Sequence, residues 1–502
     1  MRAIDAAAVA REGEIELMRR AGAAIAALLE RYALGDGPLV AVAGPGNNGG
    51  DAYAALAAYR GSRRRIVYGD PAAGGSAARR DARERALADG VEERPGVPTP
   101  EALREAALVL DGILGVNARL PLDPASAALV DALAAAAAPE AGGVPVFALD
   151  VPTGIDPTSG ATGAHVFHAV ATIALGRPKM GCFLEPARDV VGELWCAPIG
   201  MRDEDARGVG DPPAEVLTDA EFAALLPARP AESDKRSAGA PLIVAGSTQF
   251  PGAAVLSAWG AARAGAGYVT VAAPEGAAAA LRAHLVEQVV VTYDERDPAG
   301  ALRTILDLTG RCTSIGMGPG LGLSDAFGEI VNGLLAATDL PVVADASALY
   351  HLSKRLGAYR DKPLVLTPHA GEFARLSGKG TIAPGERLMR LRAFVDEHGI
   401  TTLLKGRTTL IAARDATHLN PTGTNALATA GTGDVLTGAI ATLLGQGLAP
   451  VDAARVGAFW HGRAGQAALA RRHRGVVAHD VAEALGEASV ASAGDPELLR
   501  IF

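Results

Sequence analysis

Short apolar runs ending in glycine or a carboxylate recur along the chain, alternating with stretches whose apolar residues return at helical spacing. Glu14 to Leu29, with Leu17, Met18, Ala21 and Ile25 on one face, predicts an amphipathic helix. Pro38 to Ala43 predicts a strand, followed by a loop Gly44-Pro45-Gly46-Asn47-Asn48-Gly49-Gly50-Asp51 and an alanine-rich helix from Ala52 to Tyr59. Further strands are predicted at Arg65 to Tyr68, Leu108 to Leu110, Val144 to Leu149 and Val170 to Leu175. They lead to Asp111, Asp150 and the segment Gly176-Arg177-Pro178-Lys179. Strand, glycine loop and helix form the first unit of a doubly wound α/β sheet, whose ligands bind beyond the carboxyl ends of the strands.

The pattern breaks into charged and Gly/Pro-rich residues between Asp203 and Pro213, with Asp211-Pro212-Pro213 the clearest stop. Two domains are therefore expected, 1–212 and 213–502, with Leu217 to Leu226 leading the second. There the strand Pro241 to Ala245 is followed by a helix opening at Pro251-Gly252-Ala253. Strands follow at Tyr268 to Ala272 and before Gly316, Gly318, Gly320 and Gly322. Leu340 to Ala344 ends at Asp345, and Leu364 to Thr367 ends at Pro368-His369-Ala370-Gly371-Glu372. Thr401 to Leu404 ends at Lys405-Gly406-Arg407-Thr408-Thr409. Every polar loop comes after a strand, as a parallel α/β domain requires.

Asn425 to Thr442 carries the most pointed chemistry. Gly431, Thr432 and Gly433 make a turn that opens a helix, whose unpaired N–H groups and dipole suit a phosphate. Asp434 in its first turn is either a cap or a general base. Asp111 and Asp150 are candidates for metal ligation, ribose-hydroxyl binding or acid/base work, with helix capping as the alternative. Lys179 is either a proton donor or a surface cation. Asn47, Asn48 and Asp51 are unusual in so tight a loop, although Asn and Gly also simply form turns. His369, between a proline and the acid at Glu372, is a candidate contact, and Lys405 to Thr409 a candidate nucleotide-phosphate loop. Trp460 and His461 read as packing.

The chain has 502 residues, 49% of them apolar, too many for a single core. Its net charge of −9 gives no footprint for nucleic acid or an anionic membrane. Cys182, Cys196 and Cys312 are too few and too irregular for a disulfide framework or a zinc site, which points to a reducing compartment. No apolar run reaches the roughly 18 residues of a membrane span. A soluble, cytoplasmic protein is expected, as a homo-oligomer.

Four stretches carry a closer likeness: Gly44 to Asp51, Ala148 to Ile155, Thr367 to Glu372 and Ala426 to Leu436. With them the chain resembles the bifunctional NAD(P)H-hydrate repair enzymes, an epimerase fused to an ADP- or ATP-dependent dehydratase. The resemblance implies a Rossmann-like doubly wound domain followed by a ribokinase-like α/β domain. The substrates would be the NADH and NADPH hydrates, whose epimers the first domain would interconvert. The second would dehydrate the S epimer at the expense of ADP, giving AMP and phosphate, or of ATP, with magnesium.

By the same resemblance Asn47, Asn48, Gly49, Gly50, Asp51, Gly115, Val116, Asn117, Ala118, Arg119, Leu120, Pro121 and Asp150 would hold the hydrate in the first domain. Asp150 and Lys179 would be catalytic, and Asn48, Asp111 and Thr153 would take part in a potassium site. In the second domain Ala253, Gly320, His369 and Asp434 would contact the hydrate, with Asp434 catalytic. Lys405, Gly406, Arg407, Thr408, Thr409 and Gly433 would contact the nucleotide. The chain departs from the family at Gly115 to Arg119, where Gly-Thr-Gly is commoner, and at Thr153 and Ser347. A small-molecule kinase fused to a binding domain is the alternative reading.

Overall fold

Leu39 to Ala43 is buried at every position, as happens to a strand inside a sheet covered on both faces. The computed structural model describes residues 1–70, 74–139, 142–210, 212–229, 231–490 and 498–502. It has two such sheets and divides into two units, Met1–Pro212 with Ala493–Phe502, and Pro213–Ser492. Asp211, at the break seen in the sequence, lies outside the described residues.

The first unit contains β1 (Leu39–Ala43), β2 (Arg65–Gly69), β3 (Glu92–Pro95), β4 (Leu108–Gly112), β5 (Val146–Leu149), β6 (Ala171–Leu175) and β7 (Glu193–Ala197). Their order is β7-β6-β5-β4-β1-β2-β3, and every neighbouring pair is parallel. The winding reverses between β1 and β4, which makes the crevice beyond their carboxyl ends the switch point where such sheets bind ligands. Helix α1 (Arg2–Glu12) leads into α2 (Glu14–Leu29). Met18, Ala21 and Ile25 of α2 join Leu39, Ala41 and Leu56 in one core.

The expected loop at Asn47 to Asp51 needs a correction. These residues are the first turns of α3 (Asn47–Ala58), with Gly46 as N-cap. Paired glycines argue against a helix on propensity, but packing overrides it here. Gly49 and Gly50 are buried, and a Cβ on Gly50 would lie 2.6 Å from the Met18 side chain.

The second sheet runs β10-β9-β8-β11-β12-β13-β14-β15-β16. Its strands are β8 (Pro241–Val244), β9 (Thr270–Pro274), β10 (Val289–Tyr293), β11 (Ser314–Met317), β12 (Val342–Ala344), β13 (Leu364–Leu366), β14 (Thr401–Leu404), β15 (Thr409–Ala413) and β16 (Ala416–Asn420). The winding reverses between β8 and β11, giving a second switch point. The sheet is parallel only as far as β14, since β15 returns antiparallel to both β14 and β16. Lys405 to Thr408 are thus the tip of a hairpin, not a strand-to-helix loop. Leu404 pairs directly with Leu410, which leaves only a tight connection between them.

Two helices meet behind this switch point, Pro251–Arg263 and Thr432–Gly445. A Cβ on Gly438 would sit 2.0 Å from the Ser257 carbonyl oxygen, and one on Gly260 2.3 Å from that of Val435. The two backbones therefore touch, which fixes where both helices begin.

The expected second domain, 213–502, is also corrected. The last residues return to the first unit, where β17 (Leu499–Arg500) pairs antiparallel with β7, Leu499 opposite Cys196 and Arg500 opposite Trp195. Leu498 is buried in the first core. The Phe502 ring meets Phe183 edge-on at 5.8 Å and lies 3.4 Å from the Arg188 guanidinium. Without this segment β7 would be an open hydrogen-bonding edge. No helix among the described residues is long and apolar enough to cross a membrane, and the three cysteines are free and buried.

Deleting residues 498–502 should lower the stability of the first unit by about 2–4 kcal/mol through lost apolar burial. Urea denaturation followed by Trp195 fluorescence reads this out, and an unshifted midpoint would count against it. Gly438→Val should cost about 1–3 kcal/mol by overpacking, visible as a lowered midpoint for the second unit.

Candidate functional sites

Asp111 belongs to β4 rather than to the loop after it, and its carboxylate is fully buried. One oxygen accepts from the Thr153 hydroxyl (2.8 Å) and the Ile113 amide (3.1 Å), the other from the Thr153 amide (2.8 Å). Burial pushes this carboxyl up to about 6 against those hydrogen bonds. Asn48 Nδ2 donates to the Leu114 carbonyl (3.0 Å), while the buried Asn48 Oδ1 has no partner among the described residues. The Thr153 hydroxyl also accepts from the Leu114 amide at 3.1 Å. Asn48, Asp111 and Thr153, expected to share a cation, therefore meet around Leu114.

Asp150 follows β5 with φ of 68°, a left-handed conformation that costs a non-glycine residue about 1–3 kcal/mol. The bend presents both carboxylate oxygens to partners. One accepts from the Val116 amide (3.0 Å), the other from the Leu175 amide (3.2 Å) and from Lys179 Nζ. Lys179 also donates to the Leu175 carbonyl (2.9 Å) and is buried, so it is not a surface cation. Burial, with the Asp150 charge adding to it, holds the Asp51 carboxyl well above the ordinary range. One ammonium thus serves two carboxyls at the switch point.

The other expected contacts divide. Gly115 and Val116 face this cluster, where a Cβ on Gly115 would be 3.3 Å from Asp150 Oδ2. Asn117, Arg119 and Pro121 are exposed or nearly so, Leu120 is partly covered and Ala118 is buried. Asn117 accepts from Arg2 of α1 (3.1 Å), and Asn47 bonds Glu14 and Ser76 on the exposed side of α3. Arg79, which carries no motif, is fully buried and donates to the Gly44 carbonyl (3.2 Å), bracing the turn beneath Asn48.

In the second unit Gly431, with φ of 90°, turns the chain into the Thr432–Gly445 helix. The Thr432 amide reaches Thr429 O (3.4 Å) and the Asp434 amide reaches Gly431 O (3.1 Å). Among the described residues the amides of Gly431 and Gly433 have no acceptor. A Cβ on Gly433 would lie 3.4 Å from both Asp345 Oδ2 and Lys405 Nζ, so the turn faces a charged cluster. Lys405 Nζ is 2.8 Å from Asp345 and 3.8 Å from Glu372. Burial opposes the Lys405 charge, but these carboxylates and Asp434 raise its pKa. Burial, with Asp345 adding to it and Lys405 opposing, pushes the Asp434 carboxyl up to about 7. Gly431, not Asp434, is the N-cap of this helix.

Asp345 and Glu372, to which the sequence analysis gave no role, are members of this cluster. Asp345 follows β12 and precedes Ala346, whose φ of 49° is again left-handed, and it accepts from Thr437 at 3.1 Å. His461, read as packing, is buried beneath the turn. Burial pushes its ring down to about 4 against a hydrogen bond to the Thr432 backbone.

The remaining expected contacts fall around the same crevice. Gly320 lies against Phe250 and Ala253, close enough that a Cβ on it would come within 2.8 Å of the Ala253 methyl. His369 caps the helix that follows it. Its Nδ1 accepts from the Gly371 amide (3.0 Å), and Glu372 accepts from the His369 amide in return (2.8 Å). The ring stays 60% exposed, with Nε2 3.6 Å from Glu372 Oε2. At the hairpin Arg387 donates to the Lys405 carbonyl (2.9 Å) and the Thr409 hydroxyl to the Gly406 carbonyl (3.2 Å). The buried Thr408 hydroxyl has no partner among the described residues.

Comparison with known proteins follows the same division. A family model described as NAD(P)H-hydrate dehydratase matches residues 241–487, and one described as YjeF-related protein N-terminus matches 14–181. The bifunctional NAD(P)H-hydrate repair enzyme of Mycobacterium leprae is 34% identical over 89% of this chain and 88% of its own. That of Pyrobaculum aerophilum is 33% identical over 93% and 92%, and that of Moorella thermoacetica 36% over 76% and 73%. A solved ADP/ATP-dependent NAD(P)H-hydrate dehydratase from Bacillus subtilis, co-crystallised with ATP and Mg2+, is 32% identical. It covers 55% of this chain and 98% of its own, with a TM-score of 0.49. The chain belongs to the family of bifunctional NAD(P)H-hydrate repair enzymes.

Proposed function

We propose that this chain repairs hydrated nicotinamide nucleotides. The first unit interconverts the R and S hydrates of NADH and NADPH, and the second returns the S epimer to NAD(P)H at the expense of ADP or ATP. The observation that carries the second activity is the pairing of two acceptor-free amides, on Gly431 and Gly433, with a carboxyl held near 7.

Asp434 takes the proton of the hydrate's hydroxyl, and the oxygen attacks the terminal phosphoryl group of the nucleotide. The Gly431 and Gly433 amides and Lys405 receive the charge that develops on the phosphoryl oxygens. Phosphate, a better leaving group than hydroxide, then departs with the C–O electron pair as the ring nitrogen's lone pair closes a C=N bond. The neighbouring carbon gives up a proton so that the C=C bond of NAD(P)H returns. The Thr408 hydroxyl and the Lys405–Thr409 tip hold the nucleotide, while Ala253, Gly320 and His369 border the hydrate. Magnesium accompanies the nucleotide phosphates.

In the first unit Asp51, Asp150 and Lys179 work on the hydrate's carbinol carbon, with Gly115 and Val116 beside them. Asn48, Asp111 and Thr153 suit potassium: their donors are amide, carboxylate and hydroxyl oxygens, and the buried Asn48 Oδ1 lacks a partner among the described residues. The ion would supply the positive charge that buried Asp111 otherwise lacks. The free thiols accord with a reducing, cytoplasmic setting.

Asp434→Asn should reduce dehydration by about 10²- to 10⁴-fold with nucleotide affinity little changed, measured by recovery of reduced-nicotinamide absorbance. Because Asp434 must be ionised to act, wild-type dehydration should rise with pH through about 7, and a profile without this limb would remove its role as base. Free phosphate rather than a phosphorylated product distinguishes repair from a kinase reaction. Asp111→Ala should reduce epimerisation and abolish its potassium dependence while dehydration continues; an equal loss of both activities would refute the division of labour.

A further inference from the structure

Helix α1 carries no motif, yet its first turn reaches the cluster around Asp150. Arg2 in that turn donates to Asn117 at 3.1 Å, and Asn117 adjoins Val116, whose amide holds Asp150. At the other end Arg11 pairs with Asp205 (2.7 Å) and the Gly200 carbonyl (2.8 Å). The helix is thus pinned at both ends, with its first turn at the switch point.

Asp5 stands three residues after Arg2, on the same face of the helix. It is partly buried, and its carboxyl has no hydrogen bond or ion pair among the described residues. The charges it meets are Lys179 and Asp150, at the heart of the site, and the chain's amino terminus. Burial and the Asp150 charge raise its pKa against the Lys179 ammonium. An unpartnered, partly buried carboxyl one turn from the Arg2–Asn117 contact is unlike the other acids of α1 and α2. Glu12 and Glu16 are engaged by Arg11, Arg19 and Arg20, and Glu14 by Asn47.

Inverting the hydrate sets a requirement that such a group can meet. Hydrating a double bond attached to a ring nitrogen places the hydroxyl on the carbon beside that nitrogen. To invert it, the C–O bond breaks with its electron pair on oxygen, which takes a proton from an acid and leaves as water. The nitrogen lone pair closes a C=N bond, water adds to the opposite face, its proton passes to a base, and the pair returns to nitrogen. Each face therefore needs its own proton carrier. On the epimerase reading of the first unit, we propose that α1 is a wall of the site. Asp5 carries the proton on the face of the hydrate turned towards it, complementing Asp150 and Lys179.

The test uses the full chain with the R epimer alone, comparing wild type with Asp5→Asn, Asp5→Glu and Arg2→Ala. Asp5→Asn should lower kcat for epimerisation by about 10²-fold with KM and S-epimer dehydration unchanged, and Asp5→Glu should recover part of the loss. Arg2→Ala, which only loosens the helix from Asn117, should raise KM more than it lowers kcat. A kcat for Asp5→Asn within about twofold of wild type, far short of what a lost proton carrier costs, would overturn the proposal. Equal losses in the Asn and Glu variants together with a lowered Tm would overturn it too. A wild-type chain that turns over no R epimer would instead defeat the epimerase reading itself.

Discussion

The dehydratase half depends on two helices being close enough for their backbones to touch. Gly260 and Gly438 remove the side chains that would hold the Pro251–Arg263 and Thr432–Gly445 helices apart. The starts of both helices, Ala253 on one and the Gly431–Asp434 turn on the other, then converge on the crevice between β8 and β11. The second helix has no amphipathic face to orient it otherwise, since it is buried along nearly its whole length. Position here is set by contact distance, and the chemistry follows from position.

Both units solve one electrostatic problem in the same way. A strand ends in a carboxylate, a lysine pairs with it, and a second carboxyl with a raised pKa feels that lysine's charge. Asp150, Lys179 and Asp51 form the first set, and Asp345, Lys405 and Asp434 the second. In each, a non-glycine residue adopts a left-handed backbone at the bend, Asp150 itself and Ala346. Such strain persists only where the surrounding structure over-determines it. In both sets burial and the neighbouring carboxylate raise the second acid's pKa while the lysine opposes the rise.

Much of this is legible in the sequence, because parallel strands read as apolar runs and their carboxyl ends carry the polar residues. β14 and α2 fall where periodicity puts them, and Asp111, Asp150 and Asp434 all lie at switch points or helix starts. The misses have physical causes. β3 reads Glu92-Glu93-Arg94-Pro95, an edge strand with no apolar alternation to betray it. β15 and β16 go unread beyond the Lys405 to Thr409 loop, because only the partner strands reveal their direction. Asn47 to Asp51 reads as a loop because glycine disfavours helices unless packing demands its lack of a side chain. Asp345 and Glu372 are named in the sequence but given no role, since their significance lies in what they touch, not in their neighbours along the chain.

The return of the final residues to β7 makes the first unit discontinuous, with 213–492 inserted between its two pieces. On the ribosome, the amino-terminal sheet must therefore wait for its last strand while the whole intervening unit is made. At usual elongation rates that delay is roughly 15 to 60 s. Throughout it the outer edge of β7 offers unpaired amides and carbonyls to any neighbouring strand. Nascent copies on one messenger are thus exposed to mispairing at this edge until the last residues are made.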